Sequence, residues 1–235
     1  MSYTVTENDI LSIPAQAAVL ALEMTGRVAM GPVGDRMARA GGERLKSALR
    51  AAKFVSVGRA AALEGCGLPF ERLILTATPR FLTGKANELM MLRLCYETVF
   101  ALTEELGIES LALPFLSAMY YHFPQEEAVH IALREAEKWS GKAVFAAETP
   151  ELLALSQRPY HRPRILSYIG WYRDHALFEL DNGLFARVDL RPERREADMI
   201  PYFEACYRQG NNPLQTPLPA GEIARLRRLW EELAE

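Results

Sequence analysis

The sequence predicts an α/β fold with a largely parallel or mixed central sheet over residues 1–157, followed by a small α+β extension over residues 158–235. Two observations predict the first part. Short, largely apolar runs such as residues 17–24 and 71–79 are typical of strands that are covered on both faces. Longer segments with apolar residues at helical spacing lie between such runs, so strands and helices alternate along the chain.

The alternation fixes an expected order of elements. We expect strands over residues 4–9, 17–24, 56–63, 71–79, 109–117 and 142–148. We expect helices over residues 33–53 and 86–106, and two more that open at Pro124 and Pro150. Proline is tolerated in the first turn of a helix because its missing N–H would have no partner there. Gly41 and Gly42 are expected to break or kink the first helix, since glycine is a poor helix former.

The pattern changes after a segment rich in proline and arginine, residues 156–164, which predicts a linker. Beyond it, the sequence Asp-Asn-Gly at residues 181–183 separates two runs of alternating apolar residues. Such a pair of runs around Asn-Gly is a strong signal for a β-hairpin. Residues 196–210 predict a short helix, and residues 222–235 predict an amphipathic helix with one apolar stripe. The extension is therefore expected to contain a β-hairpin plus helices.

Composition narrows the class of protein. The chain is 49% hydrophobic and 24% charged, as in an ordinary globular protein. No apolar run approaches the roughly 20 residues that span a bilayer, and no secretion signal is visible. Three widely spaced cysteines predict a reducing, cytoplasmic location. A net charge of −3 predicts no bulk attraction to nucleic acid or membrane. No histidine or cysteine spacing indicates a metal site, and we expect no cofactor.

Several local sequences, taken together, resemble the macro domain, an ADP-ribose-binding α/β/α module, over roughly residues 5–155. The matching stretches are NDILSI, AAVLALEM, GPVGDRMARAGG, ERLILTATP and ESLALPFLSAMYYHFPQEEAVHIAL. The last is the most diagnostic, because the family runs there from a strand through Ser-Thr-Gly-Val-Tyr-Gly-Tyr-Pro into a helix. The resemblance implies a three-layer α/β/α domain with a mixed central sheet.

The resemblance also implies which residues hold a ligand. It places Asp9 and Ile10 at the adenine. It assigns one loop to Gly31, Val33, Gly34 and Asp35, and a second loop to Ser117, Ala118, Met119, Tyr120, Tyr121 and His122. It implies no metal and, because the strand-end asparagines of the family fall on Ala21 and Met24, no catalytic residue.

The two loops depart from the family's glycine pattern. Three consecutive glycines have become Met30, Gly31 and Pro32, and two phosphate-loop glycines fall on Met119 and His122. A diphosphate is held by successive backbone N–H groups in a concave nest beside a helix N-terminus. Glycine is favoured there because the backbone approaches the phosphate closely and often needs positive φ, which costs other residues roughly 1–2 kcal/mol. The substitutions predict a changed or filled pocket.

Three functions follow from these residues. The leading one is binding of ADP-ribose or a related nucleotide metabolite, free or attached to an ADP-ribosylated macromolecule, with residues 119–123 as an aromatic platform for a ring. The first alternative is an interaction or scaffold protein in which these side chains plug the cleft and the extension binds a protein partner. The second is an ADP-ribosyl hydrolase that uses Glu23, Asp35 or His122.

Overall fold

The structure is a computed structural model that describes residues 3–29, 31–52, 54–81, 88–119, 123–200, 215 and 217–233. Contacts divide the chain into two compact units. The first comprises residues 1–80 and 88–160, and the second comprises residues 81–87 and 161–235. Among the described residues, no helix combines the length and the apolar character needed to cross a membrane.

A six-stranded sheet forms the centre of the first unit. Its strands are β1 (Tyr3–Thr6), β2 (Ala17–Leu22), β3 (Ala60–Glu64), β4 (Arg72–Ala77), β5 (Ser110–Pro114) and β6 (Lys142–Ala146). They lie in the order β1-β6-β5-β2-β4-β3. All neighbouring pairs are parallel except β3 with β4, which confirms the predicted mixed sheet. The carboxyl ends of β2, β4, β5 and β6 therefore meet at one edge.

Helices cover both faces of this sheet. They are α1 (Pro32–Ala51), α2 (Glu88–Glu105), α3 (Gln125–Lys138) and α4 (Pro150–Ser156). Side chains alternate between the faces of a strand, and on one face Leu20 and Leu75 share a buried core with Met37 of α1. On the opposite face the Tyr96 ring of α2 lies 6.4 Å from the Phe145 ring of β6. The predicted three-layer α/β/α arrangement is confirmed.

The first strand is shorter than the sequence predicts. The first strand ends at Thr6 rather than at residue 9, because Asp9 begins a 3₁₀ helix over Ile10–Ser12. The Asp9 side chain accepts a hydrogen bond from the Leu11 N–H at 3.1 Å, as N-cap residues do.

The expected kink in α1 is confirmed at Gly42, which has φ 51° and ψ −138°.

The described residues of the second unit form a four-stranded antiparallel sheet and one helix. Its elements are β7 (Ile165–Tyr172), β8 (His175–Leu180), β9 (Phe185–Asp189), β10 (Ala197–Ile200) and α5 (Ala220–Glu232). The expected hairpin is present between β8 and β9, with Gly183 at φ 78° in its turn. The first of the two predicted runs is itself divided, because Arg173 turns the chain at φ 53° between β7 and β8.

The predicted helix over residues 196–210 is wrong in its first part. Residues 197–200 form β10, which pairs with β9 so that Met199 lies opposite Ala186. The edge of β9 provides backbone partners, and this tertiary pairing outweighs a weak local helix propensity. The remainder of that predicted helix, residues 201–210, lies outside the described residues.

A buried ion pair stabilises the end of β9. Asp189 is 1% exposed, and its carboxylate accepts hydrogen bonds from the Arg191 backbone N–H at 2.9 Å and from the Arg191 Nη2 at 2.6 Å. These bonds favour the charged form, so the Arg191 guanidinium and N–H lower the pKa of Asp189 from 3.8 to about 2.

We expect Asp189→Asn to lower the free energy of unfolding of the full chain by about 2 kcal/mol at pH 7, the linkage value of such a pKa shift. An acid whose folded pKa is depressed stabilises the fold above its unfolded pKa. That contribution is lost as the pH falls through the folded pKa, so the difference from wild type should narrow between about pH 4 and pH 2. Urea denaturation across this range measures it.

The matched control is Asp174→Asn, which removes a more exposed carboxylate that lies 3.5 Å from the same arginine. An exposed ion pair contributes at most about 1 kcal/mol, so we expect a smaller loss there. A loss from Asp189→Asn that equals the control's, or that does not change with pH, would contradict the assignment.

Candidate ligand-binding cleft

A cleft opens at the carboxyl edge of the six-stranded sheet, between β2 and β5. The chain leaves β2 for α1 and then β3 and β4 on one side, and leaves β5 for α3 and β6 on the other. Such a switch point is where α/β sheets usually bind ligands. The described residues that line the cleft include Leu20, Ala21, Val33, Gly34, Ser117, Met119 and Glu148.

One wall of the cleft is the N-terminus of α1. Gly31 precedes the helix at φ 146° and ψ 159°, a conformation that favours glycine. Pro32 has no N–H to offer, so the first backbone donor of the helix is Val33, and its N–H points to the Glu148 Oε1 at 3.1 Å. The Asp35 N–H is already bonded to the Gly31 carbonyl at 2.8 Å. Backbone donors at a helix start attract negative charge.

Gly34 lets the chain pass unusually close to this helix start. After β2 the backbone turns back on itself, and the Ala29 N–H donates to the Ala21 carbonyl at 2.9 Å. A Cβ on Gly34 would lie 2.2 Å from the Ala29 carbonyl oxygen and 3.2 Å from a methyl carbon of Val28. The first contact is far inside van der Waals distance, so the position needs glycine for packing as well as for its place in the cleft.

The opposite wall is the turn that follows β5. Ser117 adopts a left-handed conformation with φ 62°, and its hydroxyl donates to the Pro79 carbonyl at 3.0 Å. The preceding Leu116 N–H donates to the hydroxyl of the buried Tyr96 at 2.7 Å. These two bonds fix the turn to the end of β4 and to α2. A non-glycine residue held at positive φ is typical of loops that bind ligands.

The cleft contains one acidic residue that the sequence analysis missed. Glu148 follows β6, and besides the Val33 N–H it lies near Asp35 and Arg36 of α1. Burial is the largest influence and raises the pKa of Glu148, more than the Val33 N–H and Arg36 lower it. An acidic residue directly after a buried strand and before a Thr-Pro helix start was the available signal, because strand ends collect at this edge.

The sequence-predicted residues divide into three groups. Val33, Gly34, Ser117 and Met119 line the cleft together. Other predicted residues, namely Asp9, Ile10, Gly31, Asp35 and Ala118, are not among the described lining residues. Tyr120, Tyr121 and His122 lie outside the described residues.

Several of the non-lining residues have structural partners. Asp9 lies 3.2 Å from the Arg36 Nε, as well as capping its 3₁₀ helix. Ile10 is fully buried in the core beneath α1, and Ala118 is 2% exposed. Asp9 is therefore linked to Arg36 near the start of α1, whereas the Ile10 side chain is part of the core.

Of the side chains considered for hydrolysis, Glu23 and Asp35 are not among the described lining residues of the cleft, and His122 lies outside the described residues. Glu23 accepts a hydrogen bond from the Thr25 hydroxyl at 3.2 Å and lies 3.9 Å from Arg80. Asp35 is exposed. The part of the chain that the structure describes contains no group of three or more His, Cys, Asp or Glu side chains able to hold a metal ion.

The space between the described residues is small. The cleft holds about 40 Å³, whereas one ordered water needs about 10–15 Å³ and pockets for drug-sized ligands commonly measure roughly 300–1,000 Å³.

Comparison with known proteins identifies the family. The sequence model of the macro domain matches residues 21–132. O-acetyl-ADP-ribose deacetylase 1 of Pantoea vagans is 31% identical over 134 residues, which cover 55% of this chain and 78% of that protein. A macro domain-containing protein of Ralstonia nicotianae is 31% identical over 126 residues, covering 54% and 73% of the two chains. The chain belongs to the macro domain family.

Solved structures agree with this fold. The macro domain of ganglioside induced differentiation associated protein 2 has a TM-score of 0.61 at 22% identity, covering 66% of this chain and 81% of that chain. The Oceanobacillus iheyensis macrodomain with ADP gives 0.60 at 20% identity, with coverage of 66% and 87%. The Trypanosoma brucei macrodomain in complex with ADP-ribose gives 0.58 at 21% identity, with coverage of 66% and 67%.

We expect Gly34→Ala to destabilise the protein by about 1–3 kcal/mol, because the added methyl group overlaps the Ala29 carbonyl and overpacking has this cost. The control is Gly221→Ala in α5, where a Cβ meets nothing within 4 Å and alanine should be neutral or stabilising by up to about 1 kcal/mol. Thermal or urea denaturation compares them. Equal stability of the two variants would show that α1 does not approach Ala29 this closely.

Proposed function

We propose that this protein binds ADP-ribose or a related nucleotide metabolite in the cleft between β2 and β5, and that the cleft is a divergent form of the family's site. One observation carries the proposal: a single cleft is lined by Val33 and Gly34 at the start of α1 and by Ser117 and Met119 after β5. A helix N-terminus facing a left-handed turn offers backbone N–H groups to an anion such as a diphosphate.

The ligand class is supported by relatives. The Pantoea vagans relative is named for O-acetyl-ADP-ribose, and the Trypanosoma brucei structure contains ADP-ribose. In this chain, the proposed adenine end is Asp9 with the backbone of Ile10, and the proposed phosphate end is residues 31–35 with residues 117–122. The Asp9 side chain is 44% exposed, so its carboxylate can accept a hydrogen bond from an amino group.

The divergence lies in which groups face the ligand. Ala21 lines the cleft at the position where the resemblance expects an asparagine, and a methyl group cannot orient a ribose by hydrogen bonding. Met119 lines it where the resemblance expects glycine, and its side chain takes up space. We therefore propose binding and assign no catalytic residue.

A second candidate is a non-catalytic interaction protein with an occluded cleft. One observation favours it. The Glu148 carboxylate already accepts the hydrogen bond of the Val33 N–H, and the cleft holds only about 40 Å³. In this case the second unit would supply the surface for a protein partner, and no nucleotide would bind.

We expect ADP-ribose to raise the melting temperature of the full chain, since a ligand that binds only the native state stabilises it by about 2.7 kcal/mol at one hundred times Kd. Ala21→Phe should abolish this shift by filling the cleft. Ala40→Phe adds the same side chain at an exposed position of α1 and should leave the shift unchanged. Differential scanning fluorimetry measures all three proteins.

The ligand panel separates the two candidate functions. It consists of ADP-ribose, NAD, cyclic ADP-ribose and oligoadenylate. If none of the four raises the melting temperature at millimolar concentration, nucleotide binding is contradicted and the occluded-cleft candidate is favoured. A shift that survives in Ala21→Phe would move the binding site away from this cleft.

A further inference from the structure

The side chain of Glu148 reaches α1 from a distant part of the chain. Its Oε1 accepts the Val33 N–H at 3.1 Å across 115 residues of sequence. Because Pro32 lacks an N–H, this is the first donor that α1 can offer. A carboxylate therefore already lies at the helix start that would otherwise face a bound phosphate.

The backbone on both sides of Glu148 is fixed. Ala147 continues the pairing of β6 with β1, since its N–H donates to the Thr6 carbonyl at 2.8 Å. Thr149 caps α4, and its hydroxyl accepts the Leu152 N–H at 3.3 Å. The Glu148 side chain can therefore leave Val33 only by rotating about its own torsions, which needs no change in the main chain.

The charges around Glu148 make it a competitor of an anionic ligand. Asp35 in the first turn of α1 adds negative charge nearby, while Arg36 is the favourable neighbour and also lies 3.2 Å from Asp9. A diphosphate that entered the cleft would stand beside the Glu148 carboxylate. Two like charges a few ångströms apart near a protein surface repel each other.

We propose that Glu148 is a built-in competitor for the diphosphate of the ligand, occupying the start of α1 in the unbound protein and rotating away when the diphosphate binds. This inference rests on the proposed function. Glu148 then determines specificity, because its charge repels ligands that carry a diphosphate and does not repel an uncharged nucleoside such as adenosine.

The test is isothermal titration of the full chain with ADP-ribose and with adenosine. Glu148→Gln keeps the size of the side chain and an acceptor for the Val33 N–H but removes the charge. We expect it to bind ADP-ribose roughly tenfold more tightly than wild type, the effect of about 1.4 kcal/mol, with adenosine binding unchanged. The control is Glu151→Gln, an exposed glutamate in the first turn of α4, which should leave both affinities unchanged.

A second variant keeps the test decisive if Glu148→Gln folds poorly. Glu148→Asp retains the charge but shortens the side chain by one methylene, so the carboxylate no longer reaches Val33. We expect a smaller gain in ADP-ribose affinity, because the helix start is freed while the charge stays near the cleft.

The outcomes separate this inference from the proposed function. If wild type binds ADP-ribose and neither variant binds it more tightly, the competitor role is wrong and the proposed function stands. If only the Glu148 variants bind, the inference is supported and the wild-type cleft is closed by this residue. If no protein binds, or if Glu151→Gln gains as much as Glu148→Gln, the inference is overturned.

Discussion

The parallel pairing of β2 with β5 is the constraint on which the candidate site depends. It places Ala17 opposite Leu111 and Ala18 opposite Ala112, and both strands then end at the same edge. Each strand leads into a different helix, so the start of α1 and the turn at Ser117 face each other across a switch point. The four paired side chains are fully buried, as expected for central strands that are covered on both faces.

At the start of α1, the Ala29 backbone lies close to Gly34 and the Glu148 carboxylate lies beside Val33. Gly34 allows the Ala29 carbonyl to lie against the helix, and Pro32 leaves Val33 as the first N–H donor. The Glu148 carboxylate uses that donor, although the same geometry suits a phosphate. Under the proposed function, the stability of the unbound cleft and its affinity for an anion would be opposed through this one hydrogen bond.

The sequence predicts the parts of the fold that depend on local pattern, such as the buried strands, the kink at Gly42 and the turn at Gly183. The resemblance to the macro domain also assigns Gly34 and Ser117 to one cleft, and the structure brings these two residues together there. Contacts between distant segments were not predictable. The Glu148 bond to α1 spans 115 residues, and β10 forms through pairing with β9, which local propensity does not report.

The most direct test of the shared cleft is a backbone amide NMR titration of the full chain with ADP-ribose. The account predicts that the largest changes in chemical shift occur together at Val33 and Gly34 and at Ser117, on both sides of the switch point. Changes confined to residues 165–200, or to only one of the two walls, would contradict a common site at the ends of β2 and β5.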